Sequence, residues 1–201
     1  LEEGVIIGAI EIFTQDSPTV YDDDIIAHLS EVAMHDALTA LPNRRYLSSF
    51  LEYRLSEFDR FDKPLAVLFA DIDNFGQFNN DYGHDAGDAV LKNIALSLKK
   101  GARSNDLVGR WGGEEFLGIY SISQSDDAPI IGEKFRRLVE STEISHGGNS
   151  LGVTVSAGIT VARPGDTAEA VVTRADTLMY ESKKAGKNRV TADKEQKPRL
   201  S

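Results

Sequence analysis

A run of apolar residues ends in two carboxylates, which could bind a cation and, through it, phosphate. Pro64 to Ala70 has the length and continuity of a strand buried on both faces, and Asp71 and Asp73 follow it directly. Two same-face carboxylates at the end of a buried strand need a basic partner or a cation. Hard oxygen ligands suit Mg²⁺, which takes one or two protein carboxylates and completes its shell with water and phosphate. An aspartate pair that only caps the following turn is the alternative.

A second acidic pair lies about forty residues further along the chain, after two glycines. Apolar residues on both sides predict two strands joined by a two-residue hairpin turn at Gly112 and Gly113, with positive φ at both glycines. A turn without side chains would let a bulky polyanion approach the backbone. Glu114 and Glu115 would then point to opposite faces of the sheet. Taken alone, this stretch also fits an ordinary hairpin with charged residues beside its turn.

Between the two acidic pairs lies a third pattern, N-x-x-x-G-H-x-x-G-D-x-x-L, from Asn79 to Leu91. Together with D-I-D at residues 71–73 and G-G-E-E-F at residues 112–116, in this order, it resembles the GGDEF family of diguanylate cyclases. Further matching stretches are residues 35–44, 153–158 and 175–188. The resemblance covers roughly residues 35 to 192.

The resemblance implies both a fold and an activity. The fold is α+β, with a central, mostly antiparallel five-stranded sheet flanked by helices, similar to the palm of polymerases and to nucleotidyl cyclases. The activity is the condensation of two GTP molecules into cyclic di-GMP with release of pyrophosphate, at the interface of a homodimer. It would use Mg²⁺ or Mn²⁺, two ions per active site. Cyclic di-GMP would also be an inhibitor of the enzyme.

The same resemblance assigns the catalytic and metal-binding residues. Asp71, Glu114 and the Ile72 carbonyl are the expected metal ligands, and Glu115 is a further candidate. The three acids are the predicted catalytic residues. A metal-lowered pKa of the attacking 3′-OH is the preferred activation, with Glu114 as a second candidate for the base. His84 is predicted to be structural and to brace the turn before a helix.

The substrate-binding residues fall into a base set and a phosphate set. Asn79 and Asp88 are expected to recognise guanine, because a carboxylate can accept hydrogen bonds from the N1-H and N2-H₂ groups that adenine lacks. The phosphates would be bound near the side-chain-free turn by backbone amides and by two lysines predicted to share one helix end. The residues so assigned are Gly112, Gly113, Asn74, Phe75, Lys183 and Lys187.

An R-x-x-D stretch lies six residues ahead of the glycines. The resemblance assigns Arg103 and Asp106 to an inhibitory site for the product, with the arginine on guanine and phosphate and the aspartate on a base. A further basic residue would complete this site. The candidates on the next predicted helix are Lys134, Arg136 and Arg137.

Four positions depart from the family's pattern. Gly76 stands where a phosphate-reaching lysine is common, Asn80 replaces a frequent aspartate, Ala40 replaces a glycine and Lys187 replaces an arginine. Lysine carries a compact charge, whereas the planar guanidinium group of arginine can form two parallel hydrogen bonds with a phosphate. These changes are expected to weaken GTP binding more than turnover.

The expected domain organisation has four parts. Residues 1–20 are predicted as the terminal strand of a truncated upstream, PAS-like domain, with an extra edge strand of the catalytic domain as the alternative. Residues 21–36 are predicted as a signalling helix that pairs two subunits, although packing on its own domain fits equally well. Residues 37–192 form the GGDEF domain, and 193–201 a disordered tail. Within the domain, further predicted elements include helices at Ile130–Ile144 and Thr167–Ala185 and a strand at Leu151–Val161.

Composition limits the remaining function classes. The chain has 201 residues and a net charge of −10, which disfavours non-specific nucleic-acid binding. The absence of cysteine removes disulfide and thiol chemistry and fits a cytoplasmic location. No stretch is apolar enough to predict a membrane span. Three functions therefore compete: an active diguanylate cyclase, a catalytically idle GGDEF module that binds GTP or cyclic di-GMP, and a cyclase with relaxed base choice.

Overall fold

A computed structural model describes residues 33–146 and 149–193 of the chain. The predicted PAS-like strand, most of the predicted signalling helix and the predicted tail beyond Asp193 lie outside these described residues. Among the helices of the described part, none is long and apolar enough to cross a membrane.

The described chain forms a five-stranded sheet with helices on both faces and a separate two-stranded ribbon. The sheet has the strand order β2-β3-β1-β6-β7, and every neighbouring pair is antiparallel except β6 and β7. The predicted α+β class with a mostly antiparallel five-stranded sheet is therefore confirmed. The helices are α1 (Arg44–Phe61), α2 (Phe75–Tyr82), α3 (His84–Gly101), α4 (Asp127–Glu140) and α5 (Ala168–Lys184). The strands are β1 (Leu65–Ile72), β2 (Leu107–Gly112), β3 (Glu115–Ser121), β4 (Ile144–His146), β5 (Asn149–Leu151), β6 (Val155–Val161) and β7 (Val190–Ala192).

Strand β1 lies in the centre of the sheet, and all eight of its residues are buried. Its side chains alternate between two cores, as the pleat of a strand requires. Leu65, Val67 and Phe69 pack in the core that α1 and α5 cover, whereas the intervening residues pack in the core that α3 and α4 cover. This double burial explains the continuous apolar run in the sequence. By the same alternation, Asp71 lies on the α1 and α5 side.

The hairpin between β2 and β3 turns one residue later than predicted. Gly112 still belongs to β2 and pairs with Glu115, so the turn residues are Gly113 and Glu114. Of the two glycines only Gly113 has positive φ, at 38°. The prediction of a Gly112-Gly113 turn with positive φ at both positions is therefore wrong. The physical reason is a register shift between Arg110 and Gly112, which adds one residue to β2 before the turn.

The region after α4 also differs from the prediction. Helix α4 ends at Glu140, and Ile144 begins β4, which pairs with β5 in the separate ribbon. Strand β6 starts only at Val155. The predicted helix Ile130–Ile144 is therefore wrong at both ends, since the helix runs from Asp127 to Glu140, and the predicted strand Leu151–Val161 is wrong at its start. Ile144 is fully buried, so its hydrophobicity reflects core packing rather than a continuing helix.

Gly158 allows α5 to pack closely on β6. A Cβ added at Gly158 would lie 2.1 Å from the carbonyl oxygen of Ala175 and 2.3 Å from the amide nitrogen of Met179. Both atoms belong to the backbone of α5, so they cannot rotate away. The sheet and this helix can approach each other only because the residue has no side chain.

We expect Gly158→Ala to lower the free energy of unfolding by about 3 kcal/mol, because the helix must shift away from the sheet. Gly152→Ala is the matched control, since a Cβ at Gly152 meets nothing within 4 Å. It should change stability by less than about 0.5 kcal/mol. Urea unfolding of the two variants measures the difference. Equal stability of the two variants would contradict the close-packing argument.

Candidate active site

The predicted acids meet where β1 ends beside the hairpin turn. Asp71 is the Cα partner of Glu115 across the β1 and β3 pairing, and the amide of Ile72 donates to the carbonyl oxygen of Glu114 at 3.3 Å. Asp71 is only 8% exposed. Burial raises the pKa of Asp71, and the neighbouring charges of Glu114 and Asp73 raise it further, while Lys183 opposes them. The structure therefore brings the predicted acids Asp71, Glu114 and Glu115 together.

Lys183 balances the buried carboxylate. It lies in the last turn of α5, and its Nζ is 2.7 Å from Oδ1 of Asp71. Within the described residues, this Oδ1 atom has no partner other than the ammonium group of Lys183. Lys183 was predicted to bind phosphate, and the structure places it directly at the acids.

A further carboxylate, Asp176 of α5, belongs to this cluster and was missed by sequence reasoning. Burial raises the pKa of Glu115, and the charges of Asp71, Asp176 and Glu114 raise it further. The only signal in the sequence was that Asp176 falls within one of the matching stretches. The site therefore concentrates negative charge that a cation or a lysine must offset.

Asp73 has a different role from Asp71. Its Oδ1 accepts from the Ser156 hydroxyl at 2.6 Å, and its Oδ2 accepts from the Thr154 hydroxyl at 2.7 Å and the Asn188 amide at 2.9 Å. The sequence treated the two aspartates as one pair needing a partner or a cation. In the structure, hydroxyls and an amide satisfy Asp73, which joins β1, β6 and the loop after α5.

The donor set at this position fits a magnesium ion. No three His, Cys, Asp or Glu side chains of the described residues converge as a complete metal site. Mg²⁺ does not require one, because it binds through one or two carboxylates plus water and phosphate. Asp71 supplies a buried carboxylate oxygen whose partner among the described residues is the exchangeable ammonium group of Lys183, and Glu114 and the Ile72 carbonyl supply hard oxygen atoms beside it.

A candidate phosphate site lies at the N-terminus of α2. The first amides of a helix have no acceptor within that helix and favour anions. Asn74 precedes this helix in a left-handed conformation, with φ of 58°. The Nζ atom of Lys187 donates to the Asn74 side-chain oxygen. Phe75, the other residue predicted here, is the first residue of α2.

Lys187 reaches this position from a loop. Helix α5 ends at Lys184, and Lys187 has a left-handed φ of 63°. The prediction that Lys183 and Lys187 share one helix end is therefore wrong. The reason is that the helix stops three residues early, and the chain then turns at Gly186.

The predicted base-binding residues lie on two adjoining helices. Asn79 is on α2 and the exposed Asp88 is on α3. The buried Oδ1 atom of Asn79 has no hydrogen-bond partner among the described residues. A Cβ at Gly87 would lie 2.0 Å from this atom. Gly87, which had no assigned role, therefore makes room for the Asn79 carboxamide.

The segment before α1 braces the hairpin turn, a contact that sequence reasoning missed. The Nη1 atom of Arg110 donates to both carboxylate oxygens of Asp36, at 3.0 and 3.2 Å, and its Nε atom donates to the Gly113 carbonyl oxygen at 2.9 Å. The amide of Arg110 also donates to the Pro42 carbonyl oxygen at 2.9 Å. Residues 36–42 thus fix the position of the turn that carries Glu114.

The predicted inhibitory-site residues line one pocket. Arg103, Asp106 and Lys134 all border it, together with Tyr120. The Asp106 carboxylate accepts from the Arg103 amide at 3.1 Å and from the Ser121 amide at 3.3 Å. These bonds close the R-x-x-D stretch into a turn and fix the backbone of Arg103. The Arg103 side chain itself is exposed.

The side chain of the buried Arg54 supports the same turn from α1. Its Nη1 atom donates to the Asn105 carbonyl oxygen at 3.2 Å, and its Nη2 atom donates to the Ser121 hydroxyl at 3.0 Å. Sequence reasoning gave Arg54 no role, because the bond spans 51 residues.

The sequence of the chain matches a known protein family and several curated proteins. The family model "Diguanylate cyclase, GGDEF domain" matches residues 33–189. The chain is 39% identical over 175 residues to the response regulator PleD of Caulobacter vibrioides, an alignment that covers 86% of this chain and 38% of PleD. It is 37% identical over 154 residues to the diguanylate cyclase DgcZ of Escherichia coli, covering 77% of this chain and 51% of DgcZ. The chain thus spans only part of the curated relatives it matches.

Solved structures agree with these sequence matches. The GGDEF domain of DgcB from Caulobacter crescentus, in complex with c-di-GMP, superposes with a TM-score of 0.75 at 32% identity, covering 80% of this chain and 95% of that one. The diguanylate cyclase SiaD of Pseudomonas aeruginosa, in complex with its activator SiaC, gives a TM-score of 0.79 at 36% identity, covering 85% and 66% of the two chains.

The Asp36 contact gives a testable stability difference. Burial would raise the pKa of Asp36, but hydrogen bonds from Thr39 and Arg110 outweigh it and lower the pKa below 3.8. The bonds therefore stabilise the fold above the unfolded-state pKa, and this stabilisation is lost as the pH falls through the folded-state pKa. We expect Asp36→Asn to cost about 1–2 kcal/mol at pH 7 and less at about pH 3, where part of the contribution is already lost.

Urea unfolding at the two pH values measures this difference. Glu143→Gln, which removes an exposed carboxylate, is the control and should cost less than about 0.5 kcal/mol at either pH. A cost for Asp36→Asn that stays the same at both pH values would contradict the ion-pair argument.

Proposed function

Because the chain belongs to the GGDEF family of diguanylate cyclases, we propose that it condenses two GTP molecules into cyclic di-GMP. The observation that carries the proposal is the buried Asp71 carboxylate, which lies beside the Glu114 turn and whose one ion-pair partner among residues 33–146 and 149–193 is Lys183. A relative named as a diguanylate cyclase and a similar domain in complex with c-di-GMP support it.

The acids would hold the divalent ions of this reaction. Asp71, Glu114 and the Ile72 carbonyl are the proposed ligands, with Glu115 as a further one, for Mg²⁺ or Mn²⁺ at two ions per site. When bound, such ions lower the pKa of the attacking 3′-OH and neutralise charge on the triphosphate. The raised pKa of Asp71 supports this role, because a nearby cation would stabilise the charged form of the carboxylate.

The lysines and the α2 amides would hold the phosphates. Lys183 can turn from Asp71 toward a phosphate, and Lys187 already lies at the N-terminus of α2 beside Asn74. The amides of Asn74 and Phe75 would bind phosphate oxygen atoms there. Gly112 at the end of β2 and Gly113 in the turn would let the phosphates approach, and a Cβ at Gly113 meets nothing within 4 Å.

The base would lie between α2 and α3. Asn79 would hydrogen-bond guanine through the carboxamide that Gly87 leaves room for, and Asp88 would accept from the N1-H and N2-H₂ groups. Loss of either should erode the preference for GTP over ATP. Gly76 leaves the triphosphate with one cation fewer than a lysine would supply.

The reaction needs two chains. Each chain would bind one GTP, and each 3′-oxygen would form a bond to the α-phosphorus of the other nucleotide. The bond from that phosphorus to pyrophosphate breaks, and the 3′-OH proton leaves to solvent. We propose that residues 21–36 pair the subunits, that residues 1–20 close an upstream domain, and that residues 37–192 carry the activity in the cytoplasm.

The pocket of Arg103, Asp106 and Lys134 would bind the product. Arg103 is exposed, and the ammonium group of Lys134 lies at the pocket wall, where it donates to the Gly101 carbonyl oxygen at 2.9 Å. Two cations and a carboxylate together suit a ligand with phosphates and guanine edges. The other candidates have partners outside this pocket: the guanidinium of Arg136 bonds to Asn188, and that of Arg137 bonds to Glu133.

Incubation with GTP and Mg²⁺ is expected to yield cyclic di-GMP and pyrophosphate, with higher specific activity at higher protein concentration. Glu114→Gln should lower kcat by about 100-fold or more, because it removes a charge that the transition state needs. Glu52→Gln on the exposed side of α1 is the control and should keep the wild-type rate. A wild-type protein that binds GTP without turnover would instead identify an idle binding module.

Arg103→Ala should raise the cyclic di-GMP concentration for half-inhibition at least tenfold, because it removes charged hydrogen bonds worth about 1.5–3 kcal/mol. The initial rate without product should not change. Arg60→Ala, at an exposed arginine of α1, is the control. Inhibition that is unchanged in Arg103→Ala would exclude this pocket as the inhibitory site.

A further inference from the structure

A charged cluster on α4 faces the loop that carries Lys187. The Nη1 atom of Arg136 donates to the Asn188 side-chain oxygen at 2.6 Å and to Glu140 at 2.8 Å. The Asn188 side-chain nitrogen donates to Glu140 at 2.8 Å. Arg136 and Glu140 therefore hold both ends of one carboxamide. These two residues and Asn188 are called the α4 clamp below.

Asn188 also receives a bond from the opposite side. Its backbone amide donates to Asp73 at the end of β1, at 2.9 Å. Lys187 and Asn188 have φ values of 63° and 45°, in the left-handed region that costs non-glycine residues about 1–2 kcal/mol each. Successive residues hold this conformation only where other contacts fix them. The two side-chain bonds of Asn188 and the bond from its backbone amide to Asp73 supply those contacts.

The position of the Lys187 ammonium group depends on this geometry. Lys187 directly precedes Asn188, its amide donates to the Ser182 carbonyl oxygen at 3.1 Å, and its Nζ atom donates to Asn74 at the N-terminus of α2. A change of φ at Asn188 would move the loop and withdraw the ammonium group from α2. The clamp thus acts on the phosphate site through the loop that carries Lys187.

The clamp stays charged at neutral pH. Arg136 lowers the pKa of Glu133 to about 2, and the bonds from Asn188 and Arg136 lower the pKa of Glu140. The Arg136 side chain is 12% exposed, so most of it is shielded from water. Arg136 and Glu140 lie four residues apart, which places them on the same face of α4.

We propose that Arg136 and Glu140 are positioning residues for GTP binding, because they fix Asn188 and thereby hold Lys187 at the triphosphate. The inference rests on the proposed function, in which Lys187 binds phosphate. It assigns a role to two residues of a helix that lies outside the substrate site.

The test compares Arg136→Met with Lys187→Met in steady-state kinetics with GTP. Arg136→Met keeps the length of the side chain and removes its hydrogen bonds. We expect it to raise the KM for GTP about tenfold and to change kcat less than about threefold, the pattern of lost ground-state binding. Arg60→Met is the control and should change neither constant.

The double variant separates positioning from general damage to the fold. If Arg136 acts through Lys187, the KM of the double variant should equal that of Lys187→Met alone. Multiplication of the two effects, or a loss of kcat without a change of KM, would overturn the inference while leaving the proposed function intact. A wild-type protein without turnover would instead reject the proposed function.

Glu140→Ala keeps the test decisive if Arg136→Met fails to fold. Its side chain is 44% exposed, so its removal should leave the fold intact. We expect a KM increase of about threefold that also disappears in the Lys187→Met background. An unchanged KM in Glu140→Ala would contradict the proposed role of the clamp.

Discussion

The buried carboxylate of Asp71 is the constraint on which the rest of the site depends. It stands at the end of a strand with every residue buried, so its charge needs a partner that reaches the edge of the sheet. Lys183 meets this need from the last turn of α5, at 2.7 Å. Because Asp71 also pairs in register with Glu115, the hairpin brings its own acids to the same place. One ion pair therefore determines where the helix end and the hairpin turn must lie.

Asp73, in contrast, has a structural role. Two residues beyond Asp71, it accepts bonds from Thr154, Ser156 and Asn188 and so ties three chain segments together. In the part of the chain that the structure describes, Asp71 has the Lys183 ammonium group as its ion-pair partner, and another cation could take the place of this group. The two carboxylates thus have different surroundings: Asp73 anchors neighbouring chain segments, and Asp71 is the proposed metal ligand.

The sequence predicted what depends on local pattern. The apolar run before Asp71 identified the central strand, and the ordered motifs identified the acids that the structure brings together. The turn position failed because the register shift after Arg110 depends on pairing with β3. The shared helix end of the lysines failed because the chain leaves α5 at Lys184. The bond between Asp36 and Arg110 spans 74 residues, and no local pattern reports it.

The most direct test is a crystal structure with Mg²⁺ and a GTP analogue that cannot react. The account predicts a divalent ion on the carboxylates of Asp71 and Glu114, with the Lys183 ammonium group moved from Asp71 to a phosphate. An Asp71 and Lys183 pair that stays intact, with the triphosphate bound away from both acids, would contradict it.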